Sequence, residues 1–119
     1  MSMKDITDKM SADMNTALRA NIIGAFGAII RGTPVDTGRA RGNWQCSLGS
    51  PVTNEIDRLD PNGSGAVSEV IATVKIGEVN YLSNNVPYIR RLEYEGHSKQ
   101  APNGMVRIAL ARFGIGEIV

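Results

Sequence analysis

The side chains of this chain that could carry chemistry are few. There is one histidine, His97, and one cysteine, Cys46. A zinc site takes about four His, Cys or carboxylate ligands, so a single imidazole and a single thiol do not supply one. A Cys46–His97 pair would make a nucleophilic dyad if the two met in space, because an imidazole can take the thiol proton. Against that, Cys46 falls on the inward side of an alternating segment, where a thiol usually serves as a small, inert core group. The acidic residues are scattered. Asp57 and Asp60 share a loop, and Glu93 and Glu95 flank Tyr94. Neither spacing holds two carboxyl groups around a substrate. The phosphate-cradling patterns G-x-G-x-x-G and G-x-x-x-x-G-K-[ST] do not occur. The expectation is a protein without enzymatic activity, metal or cofactor.

Two polar-rich segments are left. The first runs from Val35 to Trp44 and contains Asp36, Arg39 and Arg41; the second runs from Ser83 to Pro102 and contains Arg90, Arg91, Glu93, Tyr94 and His97. One reading is turn chemistry, in which Asp36 and Asn85 cap their own backbone and Gly38 and Gly96 supply positive φ. The other is recognition. Arg39, Arg41, Arg90 and Arg91 would meet carboxylates such as Asp36, Glu93 or Glu95, in the same chain or in a neighbour, because the guanidinium fork binds carboxylate bidentately. The basic turn Thr37–Gly42 is also a possible anion or nucleic-acid contact.

The elements that must position these residues are legible to different degrees. Ile6, Met10, Met14, Leu18, Ile22, Phe26 and Ile30 recur every fourth position, and Ala17, Ile23 and Ile29 widen the stripe. The spacing predicts a long amphipathic helix over residues 5–32. Ser2 and Asp5 form a candidate capping box, and Gly32 and Pro34 supply the stop. Gly24 and Gly27 lie within it, where they could admit a neighbouring backbone. From Asn43 the pattern alternates, with Trp44, Cys46 and Leu48 facing inward and Asn43, Gln45 and Ser47 outward, which predicts a half-buried strand. Residues 50–65 hold two Pro and two Gly among many polar groups and are expected to form an extended, mobile loop. Residues 66–76 suit a helix with Ser64 as N-cap, or a strand; the helical reading is preferred. Val79, Tyr81 and Leu82 suggest a short strand, Tyr88–Tyr94 a helical turn, and Met105 to Phe113 a final helix. The last residues, 113–119, read as a flexible tail.

Composition sets the frame. The chain has 119 residues, 42% hydrophobic and 21% charged, enough for one domain with a modest core. Its formal charge is +1, and the halves divided at residue 60 carry 0 and +1, which argues against binding nucleic acid by bulk charge. No signal peptide or membrane span is apparent. Aromatics are only 5% of the chain, while there are 13 glycines, so the core has few bulky anchors and dependence on neighbouring copies is expected.

Thr33-Pro34-Val35-Asp36-Thr37-Gly38-Arg39, followed by Gly42-Asn43-Trp44, forms one distinctive block. Asn84-Asn85-Val86-Pro87-Tyr88, Leu92 through Pro102 and Gly104-Met105-Val106 form another. In order and separation these blocks resemble the neck and tail-completion (head–tail joining) proteins of tailed bacteriophages, with roughly residues 5–112 covered. The resemblance implies an α+β fold in which a long N-terminal amphipathic helix packs on a small, mostly antiparallel sheet, with one or two further short helices, one of them C-terminal. It also implies a structural virion protein, assembled in the bacterial host cytoplasm. Such a protein forms a ring at the head–tail junction, a hexamer or else a dodecamer, that completes or connects the tail and surrounds the DNA channel. The implied partners are copies of itself and other neck and tail proteins. DNA would pass without sequence-specific binding, and no membrane is involved. Asp36, Arg39, Arg41, Arg90, Arg91, Glu93, Tyr94 and His97 are then the candidate interface residues, since Tyr and Arg are enriched at binding hot spots. The alternatives are a small nucleic-acid-binding regulator using the Arg39/Arg41 turn, and a hydrolase dependent on Cys46.

Overall fold

The computed structural model describes residues 3–96 and 98–119, with side chains from Asp8 onward. The architecture is α+β. Helix α1 (Met3–Gly32) leads into the short α2 (Arg39–Gly42) and strand β1 (Gln45–Leu48). These are followed by α3 (Ser64–Thr73), β2 (Asn80–Ser83), α4 (Ile89–Tyr94) and α5 (Val106–Phe113). The described residues thus hold four short helices after α1, more than the one or two expected; α2 and α4 are each under two turns long. The capping box proposed at Ser2 lies outside the described residues.

The two strands pair antiparallel, with Cys46 opposite Leu82 and Ser47 opposite Tyr81. A two-stranded ribbon is marginal alone, and here α3 packs on β1 while α1 packs along α3 and α5. The core gathers Ile29 and Ile30 of α1 with Trp44, Cys46, Val70, Val74, Val86, Leu92 and Met105. Trp44 is the one aromatic buried there; Tyr94 is exposed.

The helix α1 ends where Gly32 and Pro34 place its stop, but its stripe is covered only in part. Ala25, Ile29 and Ile30 are buried, Ile22, Ile23 and Phe26 half-buried, and every residue from Asp8 to Leu18 is exposed. The N-terminal half is therefore an arm, leaving the body where Arg19 donates to the carbonyls of Ile71 (2.6 Å) and Val74 (3.3 Å) at the end of α3. The arm stretches the molecule to 56 × 26 × 24 Å, with a radius of gyration of 16.1 Å. A compact chain of this length would have a radius of about 13.5 Å. Gly24 admits the ring of Phe113 from α5, a side chain rather than a backbone.

Two local expectations are corrected. Along the first strand Trp44 and Cys46 are buried as the alternation requires, yet Asn43 and Gln45 are buried too and Leu48 is exposed. The reason is that both faces are covered at the strand's start: α3 on one side, the 50–63 segment on the other, where Gln45 Nε2 donates to the Asn54 carbonyl at 2.7 Å. At α3 the helical reading of the ambiguous segment holds, but Ser64 lies inside the helix and Gly63 is at the N-cap position. Two side chains just before the helix accept its first amides: Asn62 Oδ1 receives the Ser64 N–H at 3.1 Å, and the Asp60 carboxylate receives the Ala66 N–H at 2.9 Å.

Candidate functional site

The first block folds around the end of α1. A helix leaves its last carbonyls without intrahelical donors, and a basic side chain nearby can satisfy them. Arg41 does this. Its Nη2 donates to the carbonyls of Arg31 (2.8 Å) and Thr33 (2.7 Å), its Nε to Thr33 (3.2 Å) and its Nη1 to Pro61 (2.7 Å). Partial burial lowers the Arg41 pKa, and the nearby Asp60 carboxylate opposes that shift. The buried Thr33 hydroxyl donates to Ile29 (2.8 Å) and accepts from the Trp44 indole (2.7 Å), which fixes the one large core aromatic. Asn43, fully buried, donates to the Arg39 carbonyl and accepts the Ile56 N–H at 2.9 Å.

Of residues 50–65, expected to form an extended, mobile loop, Ser64 and Gly65 open α3 and the rest is an extended segment tied down at several points. Arg58 donates to the carbonyls of Gly42 (2.6 Å) and Trp44 (2.9 Å) and pairs with Glu69 of α3 at 2.9 Å. The other Glu69 oxygen accepts the Cys46 N–H at 3.1 Å. Burial, followed by the Glu69 charge, pushes the Cys46 thiol up to about 11. A neutral, buried thiol is poorly suited to nucleophilic work. Sequence reasoning did not identify Arg58 or Glu69, and set Asp60 aside as a scattered loop carboxylate. Their partners come from three separate elements, and no local spacing signals them.

The second block is built around Glu93. This carboxylate is only 5% exposed, and it accepts the N–H groups of Met105 (2.8 Å), Val106 (2.8 Å) and Arg107 (2.9 Å) at the start of α5. Arg107 also donates to the Glu93 carbonyl. Outside, the Tyr94 ring lies under two guanidinium groups, Arg90 at 5.5 Å and Arg107 at 4.9 Å.

The fold brings the two blocks together. Gln100 accepts from the Val35 N–H (2.9 Å) and donates to the Val35 carbonyl (3.0 Å), as a neighbouring strand would. Asn84 donates to the Ala40 carbonyl at 2.8 Å, and Arg39 lies 5.8 Å from the centre of the Tyr88 ring. Between the blocks is an open cleft of about 320 Å³ bordered by Val35, Asp36, Arg39, Tyr88, Leu92 and Gln100.

The candidate residues therefore divide. Arg41 and Glu93, both named as interface groups, spend their polar groups inside the chain. Arg39 meets a carboxylate as expected, but that of Glu55 (2.8 Å) rather than Asp36. Asp36, Arg90, Arg91 and Tyr94 are exposed, and among the described residues no carboxylate lies within ion-pair distance of Arg90 or Arg91. His97, named both as an interface group and as a dyad partner for Cys46, lies outside the described residues. Among the described residues no cluster of three or more His, Cys, Asp or Glu is assembled, and no helix is long and apolar enough to cross a membrane. Comparison with protein-family models, with curated proteins and with solved structures yields no match to this chain.

Proposed function

We propose that this protein is a structural component of the neck or tail of a tailed bacteriophage, one that assembles into a ring around the DNA channel and completes or connects the tail. The family assignment rests on the two sequence blocks. The assembly rests on one structural observation, the α1 arm. Met10, Met14 and Leu18 form an apolar stripe on that arm and are 60%, 69% and 45% exposed. Solvent-exposed helices of such length are marginal in water, and an uncovered apolar stripe of this kind marks a contact surface. The near-neutral charge suits a conduit, which gains nothing from gripping its cargo. No observation favours a nucleic-acid-binding regulator: Arg41 is engaged with three carbonyls and Arg39 with Glu55.

The test is light scattering and electron microscopy of the full chain, alone and mixed with the neck proteins encoded beside it. Closed rings of one copy number, six or twelve, are the expected product. Monomers in both conditions would sink the proposal.

A further inference from the structure

The arm has a counterpart on the same molecule. Between α1, β2, α4, α5, the 51–53 segment and the C-terminal residues 116–119 runs an open groove of about 630 Å³, with Phe26, Ile29, Trp44, Leu82, Met105 and Leu110 among its apolar lining and Arg90 and Glu117 among its charged lining. Its size and apolar lining suit the side chains of an amphipathic helix, which docks through residues spaced i, i+4 and i+8. Met10, Met14 and Leu18 have that spacing and span about 12 Å of helix.

The groove cannot be filled by its own arm. Phe26 and Ile29, in its wall, belong to the same unbroken helix as Met10, about 24 Å further along its axis, so folding back would require breaking α1. The charges also complement one another. Asp13 and Lys9 run beside the apolar stripe on one side of the arm, and the groove lining includes Arg90 and Glu117, one group of each sign to meet them.

We infer that residues 8–18 of one copy lie in the groove of the next, with Met10, Met14 and Leu18 inserted and Asp13 facing Arg90. The inference rests on the assembly reading above and names its contact. Arm and groove are different surfaces, so the contact is heterologous. Repeated from copy to copy it produces a ring where the rotation closes, and a filament where it does not.

Cross-linking between copies tests this. In a Cys46→Ala background, Ala17→Cys protein and Val79→Cys protein are mixed in equal amounts under the conditions that give the assembly, and oxidised. Val79 borders the groove and is 61% exposed, and Ala17 is exposed beside the three inserted side chains, so neither change disturbs the core or removes an anchor. If Cys46→Ala impairs folding, the same pair is made with Cys46 retained, since that thiol is buried. The expected product is a mixed disulfide dimer in at least tenfold excess over arm–arm or groove–groove dimers. The chain carrying both substitutions should give a ladder that stops at the ring's copy number. An absence of mixed dimers, or arm–arm dimers alone, overturns the inference. Rings seen by microscopy without the mixed cross-link refute this contact and leave the assembly reading standing. Mixed cross-links in open filaments refute the ring and leave the contact.

Discussion

The carboxylate of Glu93 accepts the backbone N–H of Met105 at 2.8 Å, and so joins the end of α4 to the start of α5. Helix α5 has no capping side chain of its own at Met105. Its first amides are satisfied instead by a charge from another helix, in a place where the helix dipole also favours an anion. Removing that acceptor leaves buried donors unpaired. Glu93→Ala is expected to cost about 2–3 kcal/mol, and Glu93→Gln, which keeps one acceptor oxygen, about half as much. Urea unfolding followed by circular dichroism measures both. A loss under about 0.5 kcal/mol for the alanine variant would show that solvent can replace the carboxylate.

Gly104 is the second half of this arrangement. Its φ is +85°, and a Cβ there would overlap the Glu93 carboxylate. Gly77 has nearly the same backbone, φ +91°, but opens onto free space. The pair separates backbone strain from collision. Gly77→Ala should cost about 1 kcal/mol, the penalty for a side chain in the left-handed region. Gly104→Ala should cost about 3 kcal/mol or more, because the Glu93 cap must also move. Equal unfolding midpoints for the two variants would refute the steric account.

Cys46 gives a prediction in pH. Its thiol is pushed from an ordinary 9.0 to about 11 by burial and by the Glu69 charge. A folded-state pKa above the unfolded one means the native state holds the proton more tightly. That contribution to stability is complete below pH 9.0 and is lost as the pH rises towards about 11. Unfolding midpoints should therefore fall across that window, and the fall should be smaller in Cys46→Ala. At pH 8 the native thiol should react with a disulfide reagent about a hundredfold more slowly than the urea-unfolded chain, because its thiolate fraction is that much lower. Labelling of the native protein at the unfolded rate would contradict the burial and reopen the question of a reactive cysteine.

What was legible in the sequence follows the range of each interaction. The four-residue recurrence from Met10 to Ile30, the stop at Gly32 and Pro34, and the final helix before Gly114 all depend on neighbours within a turn or two, and the helices stand where that spacing put them. The α+β class, which the resemblance implied, is the architecture found. The preferred helix for the segment after Ser64 holds for a related reason: its apolar positions Ala66 and Val70 are one turn apart and both are buried.

The side-chain roles were decided elsewhere. Asn43 and Gln45 read as the outward face of a strand because alternation assumes one wet side, whereas the 50–63 segment covers that side. Glu93 and Arg41 read as candidate interface groups because a guanidinium fork and a carboxylate suit a contact between chains. Each is held by the end of another helix, α5 for Glu93, 13 residues along the chain, and α1 for Arg41, 10 residues along it. Periodicity also could not say that the first half of the α1 stripe has no cover within the chain. An apolar stripe has the same spacing whether it meets its own core or another molecule's surface, and only the tertiary fold shows where that core ends.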